Sequence, residues 1–263
     1  MRATLAIARK ELEVYFTTPT AYVMLAVVAF FAAQFANGAL DAFRFLALRA
    51  ATFAPEAADQ LNLTDRVVVP TMGSVAIFLV IVAPFLTMRL VAEEKRTGTL
   101  ELLLTSPVRP ASIVLGKWLA VLTVVAAALL VIAVFPAVLA IAGRGPSGGA
   151  GVEWQTVGTG LLGLMLLGMM STAVGLFFSS VTESVIVSSL LSLVLLLALW
   201  AVSLFAIGVE GPGRELAAAL SSSQRLSGFL EGRIALADVA YYLSFTALAL
   251  FLAERSVEAH RWA

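Results

Sequence analysis

The sequence has no cysteine, a single histidine and few charged residues, which make up 13% of its 263 residues. Without cysteine, a disulfide framework and a thiolate metal site are excluded. Charged residues make up about a quarter of a typical soluble domain, so their scarcity excludes an ordinary soluble protein. Hydrophobic residues amount to 60%, and the mean hydropathy is +0.98. The composition therefore predicts an integral membrane protein, and the net charge of zero gives no reason to expect a nucleic-acid partner.

Six long apolar runs match the roughly 20 residues that a helix needs to cross a hydrocarbon core of about 30 Å. They cover residues 20–38, 67–88, 113–142, 157–181, 184–208 and 234–254. The runs are continuous and do not alternate in polarity, which favours helices over the strands of a barrel. We therefore predict an all-α membrane protein with six spans, forming a single transmembrane domain over residues 1–263.

Basic residues are unevenly divided between the two sets of segments outside the spans. Ten lie on the side of segments 1–19, 89–117, 182–183 and 255–263, and seven lie on the other side. The bias is modest, but the clusters nearest the ends of the spans belong to the first set. Because basic segments next to a span stay in the cytoplasm, both chain termini are predicted to be cytoplasmic.

Several segments outside the spans have patterns of their own. Residues 4–16 carry apolar side chains at helical spacing among charged ones, which predicts an amphipathic helix in the membrane interface. Such a helix either anchors the chain at the surface or contacts a partner protein. On the other side we expect a short surface helix within residues 39–66, a turn at 143–151 and a small cap within 209–233.

The fourth predicted span is rich in small residues. They are Gly160, Gly163, Gly168, Ser171, Thr172 and Gly175. Small side chains at such spacings let another helix approach closely. They serve either packing within the chain, which we favour, or an interface with another subunit.

The predicted spans lack the ionisable side chains that proton-coupled transporters and intramembrane enzymes need. The exceptions lie near the edges of spans: Lys117 near the start of the third, and Asp238 and Glu254 in the sixth. A proton relay requires a buried carboxylate or histidine, and a Ser–His protease requires a histidine in the bundle, whereas His260 lies in the C-terminal tail. Gly116 and Lys117 are followed by Trp118 and do not form a phosphate loop. We expect no catalytic site, metal site or cofactor in this chain, so energy for active transport has to come from another subunit.

The segment 89–117, between the second and third spans, concentrates charge in an otherwise apolar chain. Its first positions include Arg89, Glu93, Glu94, Lys95, Arg96 and Glu101. Gly98 is expected to interrupt the helix, Thr99 to cap the next one, and Pro107 and Pro110 to end it. The short helix predicted here either lies on the membrane with its leucines in lipid or acts as a lever seated in a partner protein.

Particular residues recur through this segment and its flanks. They are Pro84, Thr87, Met88, Arg89, Ala92, Glu93, Glu94, Gly98, Thr99, Leu100, Glu101, Leu102, Leu103, Thr105, Ser106, Pro107, Leu115, Gly116 and Lys117. Together they closely resemble the signature of ABC-2 type permeases, and within that superfamily the gliding-motility branch. Softer matches lie at residues 9–12, 19–22, 229–234, 241–242 and 261–262, so the resemblance covers nearly the whole chain.

The resemblance implies a permease subunit of an ATP-binding-cassette transporter, typically an exporter, in a bacterial-type plasma (inner) membrane. Two six-helix permeases, identical or related, would pair within the membrane lipid, each docked on a cytoplasmic ATPase subunit that binds ATP and Mg. In the family, the N-terminal interface helix and a coupling helix between spans two and three contact the ATPase. Carried over to this sequence, the contact residues are Arg9, Lys10, Glu11, Glu13, Glu93, Glu94, Arg96, Gly98, Thr99, Leu100, Glu101, Leu102, Leu103, Leu104, Pro107 and Arg109.

Two other functions are weighed against this one. A membrane scaffold or assembly component that works mechanically with an ATPase would share the docking surface but pass no substrate. An ion-coupled secondary transporter is disfavoured, because the predicted spans hold almost no ionisable side chains.

Overall fold

The computed structural model describes residues 2–53, 62–105, 108–142, 152–205 and 212–260. Within these ranges every element of regular structure is helical. The helices are α1 (Arg2–Thr17), α2 (Thr20–Phe53), α3 (Val69–Thr87, entered through a π-helical turn, Thr64–Val68), α4 (Ala92–Arg96), α5 (Thr99–Thr105), α6 (Pro110–Ala142), α7 (Trp154–Val181), α8 (Val185–Phe205), α9 (Pro212–Leu220), α10 (Ser222–Leu230) and α11 (Leu236–Ala259). Six stretches of the described chain, which contain α2, α3, α6, α7, α8 and α11, are long and apolar enough to cross a membrane. The protein is a multi-pass membrane protein, and the predicted all-α fold with six spans is confirmed.

The first span belongs to a longer helix than the apolar pattern indicated. Helix α2 has 34 residues, and at 1.5 Å per residue it is about 51 Å long, against about 30 Å of hydrocarbon. The surface helix expected within residues 39–66 is, as far as Phe53, a continuation of this span and not a separate element. Gly38, where the apolar run ends, lies inside the helix, and residues 39–53 contain no proline and no further glycine that would end it.

Helix α7 lies at the centre of the bundle, in contact with α3, α6, α8, α10 and α11. Its small residues permit these contacts. A β-carbon at Gly163 would lie 2.7 Å from the β-carbon of Phe229 on α10. One at Gly175 would overlap Thr87 at the end of α3. The small residues at these positions therefore serve packing within the chain, the interpretation that the sequence favoured.

The two ends of the bundle carry different short helices. At one end, called here the α1 end, α1, α4 and α5 lie beside the end of α3, the start of α6 and the end of α7. At the opposite end, α10 packs on α7, with Leu226 and Phe229 buried. Tyr242 on α11 donates a hydrogen bond to the carbonyl oxygen of Ser222 at 2.8 Å. The cap expected within residues 209–233 is present as α9 and α10, while the turn expected at 143–151 lies outside the described residues.

Candidate functional site

Helix α1, the predicted amphipathic helix, lies across the start of α6 and the end of α3. Gly116 permits the approach, since a β-carbon there would be 2.9 Å from both the side chain of Ile7 and the carbonyl oxygen of Thr4. The hydroxyl of Tyr15 donates a hydrogen bond to the carbonyl oxygen of Leu86 at 2.6 Å. Burial raises the pKa of Tyr15 above its usual value, so the hydroxyl keeps the proton that it donates. These contacts fasten α1 to two spans.

A buried group of charges joins α1, α4 and α6. Lys117 on α6 is 1% exposed. Its Nζ lies 3.0 Å from Glu11 Oε1 on α1 and 2.7 Å from Glu94 Oε1 on α4. We call Lys117, Glu11 and Glu94 the Lys117 cluster. Because the ammonium is shared, it neutralises part of the charge of two largely buried carboxylates and binds their helices to the third span.

The Lys117 cluster is not fully satisfied. Glu94 Oε2 is buried and has no hydrogen-bond partner. Lys10 lies on the solvent side, with its Nζ 3.7 Å from Glu11 Oε1 and its side chain 60% exposed. The cluster therefore has one carboxylate more than its buried cation balances, and the nearest further cation is at the surface.

Helix α4 also rests on the end of α7. Ser179 on α7 hydrogen-bonds to the backbone amides of Val91 and Ala92. Lys95 Nζ in turn donates to the carbonyl oxygen of Ser180. Helix α4 is therefore attached to α6 by one side chain and to α7 by several bonds.

Several of the predicted contact residues are exposed between the last residue of α4 and the residue before α6. Those exposed there are Arg96, Gly98, Thr99, Glu101 and Arg109, which we call the exposed coupling surface. Gly98 has a φ of 71°, a conformation that favours glycine, and it turns the chain from α4 into α5 as the sequence predicted. Glu93 is half-buried beside this surface.

Other predicted contact residues have different surroundings. On α1, Arg9 and Glu13 are exposed and pair with each other at 3.0 Å. Leu100 on α5 is buried in the bundle, so it faces neither lipid nor a partner. Leu102, Leu103 and Leu104 belong to α5, but their side chains are not among those described, and Pro107 lies outside the described residues.

Sequence reasoning missed the partners of Lys117 and the role of Ser179. Lys117 is 106 residues from Glu11 and 23 from Glu94, and no local pattern links such positions. Ser179 lies near the end of its span and was not among the small residues that the sequence pattern singled out. Among the described residues, no three His, Asp or Glu side chains form a group that could hold a metal ion.

Comparison with known families gives one finding that bears on this arrangement. A family model described as "ABC-2 family transporter protein" matches residues 5–215. The match begins in α1, contains the Lys117 cluster and the exposed coupling surface, and ends in α9. A search of curated proteins found no match.

Proposed function

Because this chain belongs to the ABC-2 family of transporter proteins, we propose that it is the permease subunit of an ATP-driven exporter. A separate cytoplasmic ATPase subunit, which binds ATP and Mg, energises it. A second permease, either a copy or a related chain, completes the transporter in a bacterial-type plasma (inner) membrane. The motif residues quoted from the sequence favour the gliding-motility branch of the family.

The observation that carries this proposal is the ion pair and the hydrogen bonds that join α4, next to the exposed coupling surface, to two spans. An ATPase can move the spans only if the surface on which it docks is firmly bonded to them. Gly98, Thr99 and Glu101 follow directly after α4, and Glu94 of α4 is held by Lys117 on α6. Movement of a partner docked on this surface is therefore delivered to α6 and, through Ser179, to α7.

The charges of the exposed coupling surface indicate what kind of partner fits it. Arg96 and Arg109 are positive and Glu101 is negative, and all three are exposed. A surface of mixed sign selects a partner with a complementary arrangement of charges, and charge reversal at one position opposes binding. The Arg9–Glu13 pair on α1 offers a second exposed patch of mixed sign.

Reversal of one charge tests the docking. Purification of the tagged chain from its native membranes is expected to bring an ATPase with it, identified by mass spectrometry. Glu101→Lys is expected to lower the amount of ATPase per permease at least about fivefold, because a like charge then faces the partner. Glu215→Lys is the matched control, since Glu215 is also exposed but lies in α9 at the opposite end. Equal recovery of the ATPase with both variants contradicts docking at this surface.

Transport itself is tested with sealed inside-out vesicles that contain the permease and its ATPase. The vesicles are incubated with an extract of the source cells, and mass spectrometry compares their contents with and without ATP. An exporter accumulates at least one compound in an ATP-dependent manner. Hydrolysis of ATP without accumulation supports the alternative function, a scaffold that works with the ATPase mechanically.

A further inference from the structure

Helix α4 begins without a capping residue of its own. Its N-cap is Val91, which makes no side-chain hydrogen bond. The first amides of an α-helix have no acceptor within the helix, and a Ser, Thr, Asp or Asn at the N-cap usually supplies one. Here Ser179 supplies it from α7, because its Oγ accepts from the amides of Val91 and Ala92, both at 3.1 Å.

The hydroxyl of Ser179 is fully used by this turn. Besides accepting two hydrogen bonds, it donates one to the carbonyl oxygen of Met88 at 3.0 Å. A hydroxyl has one proton to donate and two lone pairs, so no capacity is left. Ser179 is 0% exposed, so bulk water does not reach these backbone groups to replace it. One side chain of α7 therefore holds three backbone groups of the connection between α3 and α4.

The contact is reciprocal, since α4 in turn bonds to the end of α7. The last carbonyls of an α-helix have no donor within the helix. The carbonyl oxygen of Ser180 accepts from Lys95 Nζ on α4 and from Ser256 Oγ on α11, the latter at 2.8 Å. The start of α4 and the end of α7 thus supply each other's missing hydrogen-bond partners. Helix α11 adds one further donor, Ser256.

We propose that Ser179 is a positioning residue that sets the place of α4 on α7 and, through α4, the place of the exposed coupling surface. Lys117 holds the end of the Glu94 side chain, whereas Ser179 holds the backbone from which that side chain and the exposed coupling surface extend. The proposal rests on the proposed function only in naming an ATPase as the protein that docks there.

The test compares Ser179→Ala with Ser180→Ala. Ser180 is also 0% exposed, but its hydroxyl donates to the carbonyl oxygen of Phe177 in its own helix at 2.7 Å. Ser180→Ala therefore removes a buried hydroxyl from the same helical turn and leaves the cap of α4 intact. If Ser179→Ala yields no folded protein, Ser179→Cys keeps the shape of the side chain and weakens its hydrogen bonds.

The first measurement is amide hydrogen exchange of the complete chain in lipid nanodiscs, without any ATPase. Loss of the hydroxyl leaves the amides of Val91 and Ala92 without an acceptor, so Ser179→Ala is expected to speed their exchange at least about tenfold. Ser180→Ala is expected to leave it at the native rate. Peptides from α10 and α11 report whether the rest of the fold is unchanged. Native exchange at both amides in Ser179→Ala overturns the proposal.

The second measurement is the affinity of the copurifying ATPase for each variant. A displaced α4 presents the exposed coupling surface wrongly, so Ser179→Ala is expected to weaken binding at least about fivefold relative to Ser180→Ala. Fast exchange combined with native affinity overturns the positioning role. If no ATPase binds even the native chain, the proposed function fails, while hydrogen exchange still decides whether Ser179 holds α4.

Discussion

At Lys117, one ammonium and two carboxylates share a site that is largely closed to water. Taking three charges out of water costs free energy, and their mutual attraction offsets that cost only while every member is present. Removal of the lysine leaves Glu11 and Glu94 close together without their shared cation. A complete group of this kind adds little net stability, whereas the loss of one of its members is costly.

Replacement of Lys117 tests the cluster at the scale of a single residue. Lys117→Met keeps the aliphatic stem but removes the charge, and we expect the free energy of unfolding to fall by about 3–5 kcal/mol. Lys10→Met is the matched control, because Lys10 is also near Glu11 but exposed, and its loss is expected to cost less than about 1 kcal/mol. Denaturant titration in detergent micelles measures both. Equal losses for the two variants would show that the buried ion pairs of Lys117 contribute no more to stability than the exposed pair of Lys10.

The sequence singled out Glu11, Glu94 and Glu101 at the α1 end but did not show which of them meet Lys117. Glu11, Glu94 and Glu101 all carry the same local signal, a carboxylate in a charged segment outside the predicted spans. Only the packing of α1 and α4 against α6 separates the two that reach Lys117 from the exposed Glu101. The role of Ser179 was unpredictable for the same reason, since a cap supplied by a different helix leaves no pattern around the capped residues.

Among the helices, close contact between α3 and α7 depends on the absence of a side chain. Thr87 fills the space where a β-carbon of Gly175 would lie, and it is itself buried with its hydroxyl bonded to the carbonyl oxygen of Ala83 at 3.0 Å. The obstacle is thus a short side chain already fixed by its own helix. Enlargement at Gly175 has to move one helix away from the other.

A pair of glycine substitutions in α7 measures this contact. Gly175→Ala is expected to lower the free energy of unfolding by about 1–3 kcal/mol, because overpacking shifts the backbone of α3 or α7. Gly158→Ala, in the same helix, meets nothing within 4 Å of the added carbon. It is expected to be neutral or to stabilise by up to about 1 kcal/mol, since alanine favours the helix. The same denaturant titration compares them, and a neutral Gly175→Ala would show that the helices separate without cost.

The sequence predicted that each membrane-spanning helix exists better than it predicted how long the helix is. Apolar runs mark where a helix lies in lipid, and all six were found. A helix continues past the lipid until a residue ends it, and polar residues such as Asp41 and Arg44 do not. Helix α2 therefore extended beyond its predicted end, whereas α3 ended at Thr87, close to the predicted limit at residue 88.

For the whole molecule, the spans were predictable because the lipid hydrocarbon around them restricts the backbone to few structures. A backbone in hydrocarbon has to satisfy its own hydrogen bonds, so continuous apolar runs leave the helix as the available structure. The arrangement of the six spans follows from side-chain contacts that single-sequence patterns do not encode, such as Phe229 against Gly163. The orientation in the membrane can be predicted from the sequence, but less strongly than the spans, because it depends on a charge bias of ten basic residues against seven.

Orientation is open to a direct labelling experiment, because the chain has no cysteine. Thr97→Cys places a thiol at the exposed α1 end, and Glu215→Cys places one on α9 at the opposite end. The positive-inside rule puts the α1 end in the cytoplasm. A membrane-impermeant maleimide is therefore expected to label Glu215→Cys in intact cells and Thr97→Cys only after permeabilisation, with the native chain giving the background. The reverse pattern would put the exposed coupling surface outside the cell, where no ATP-binding subunit could reach it.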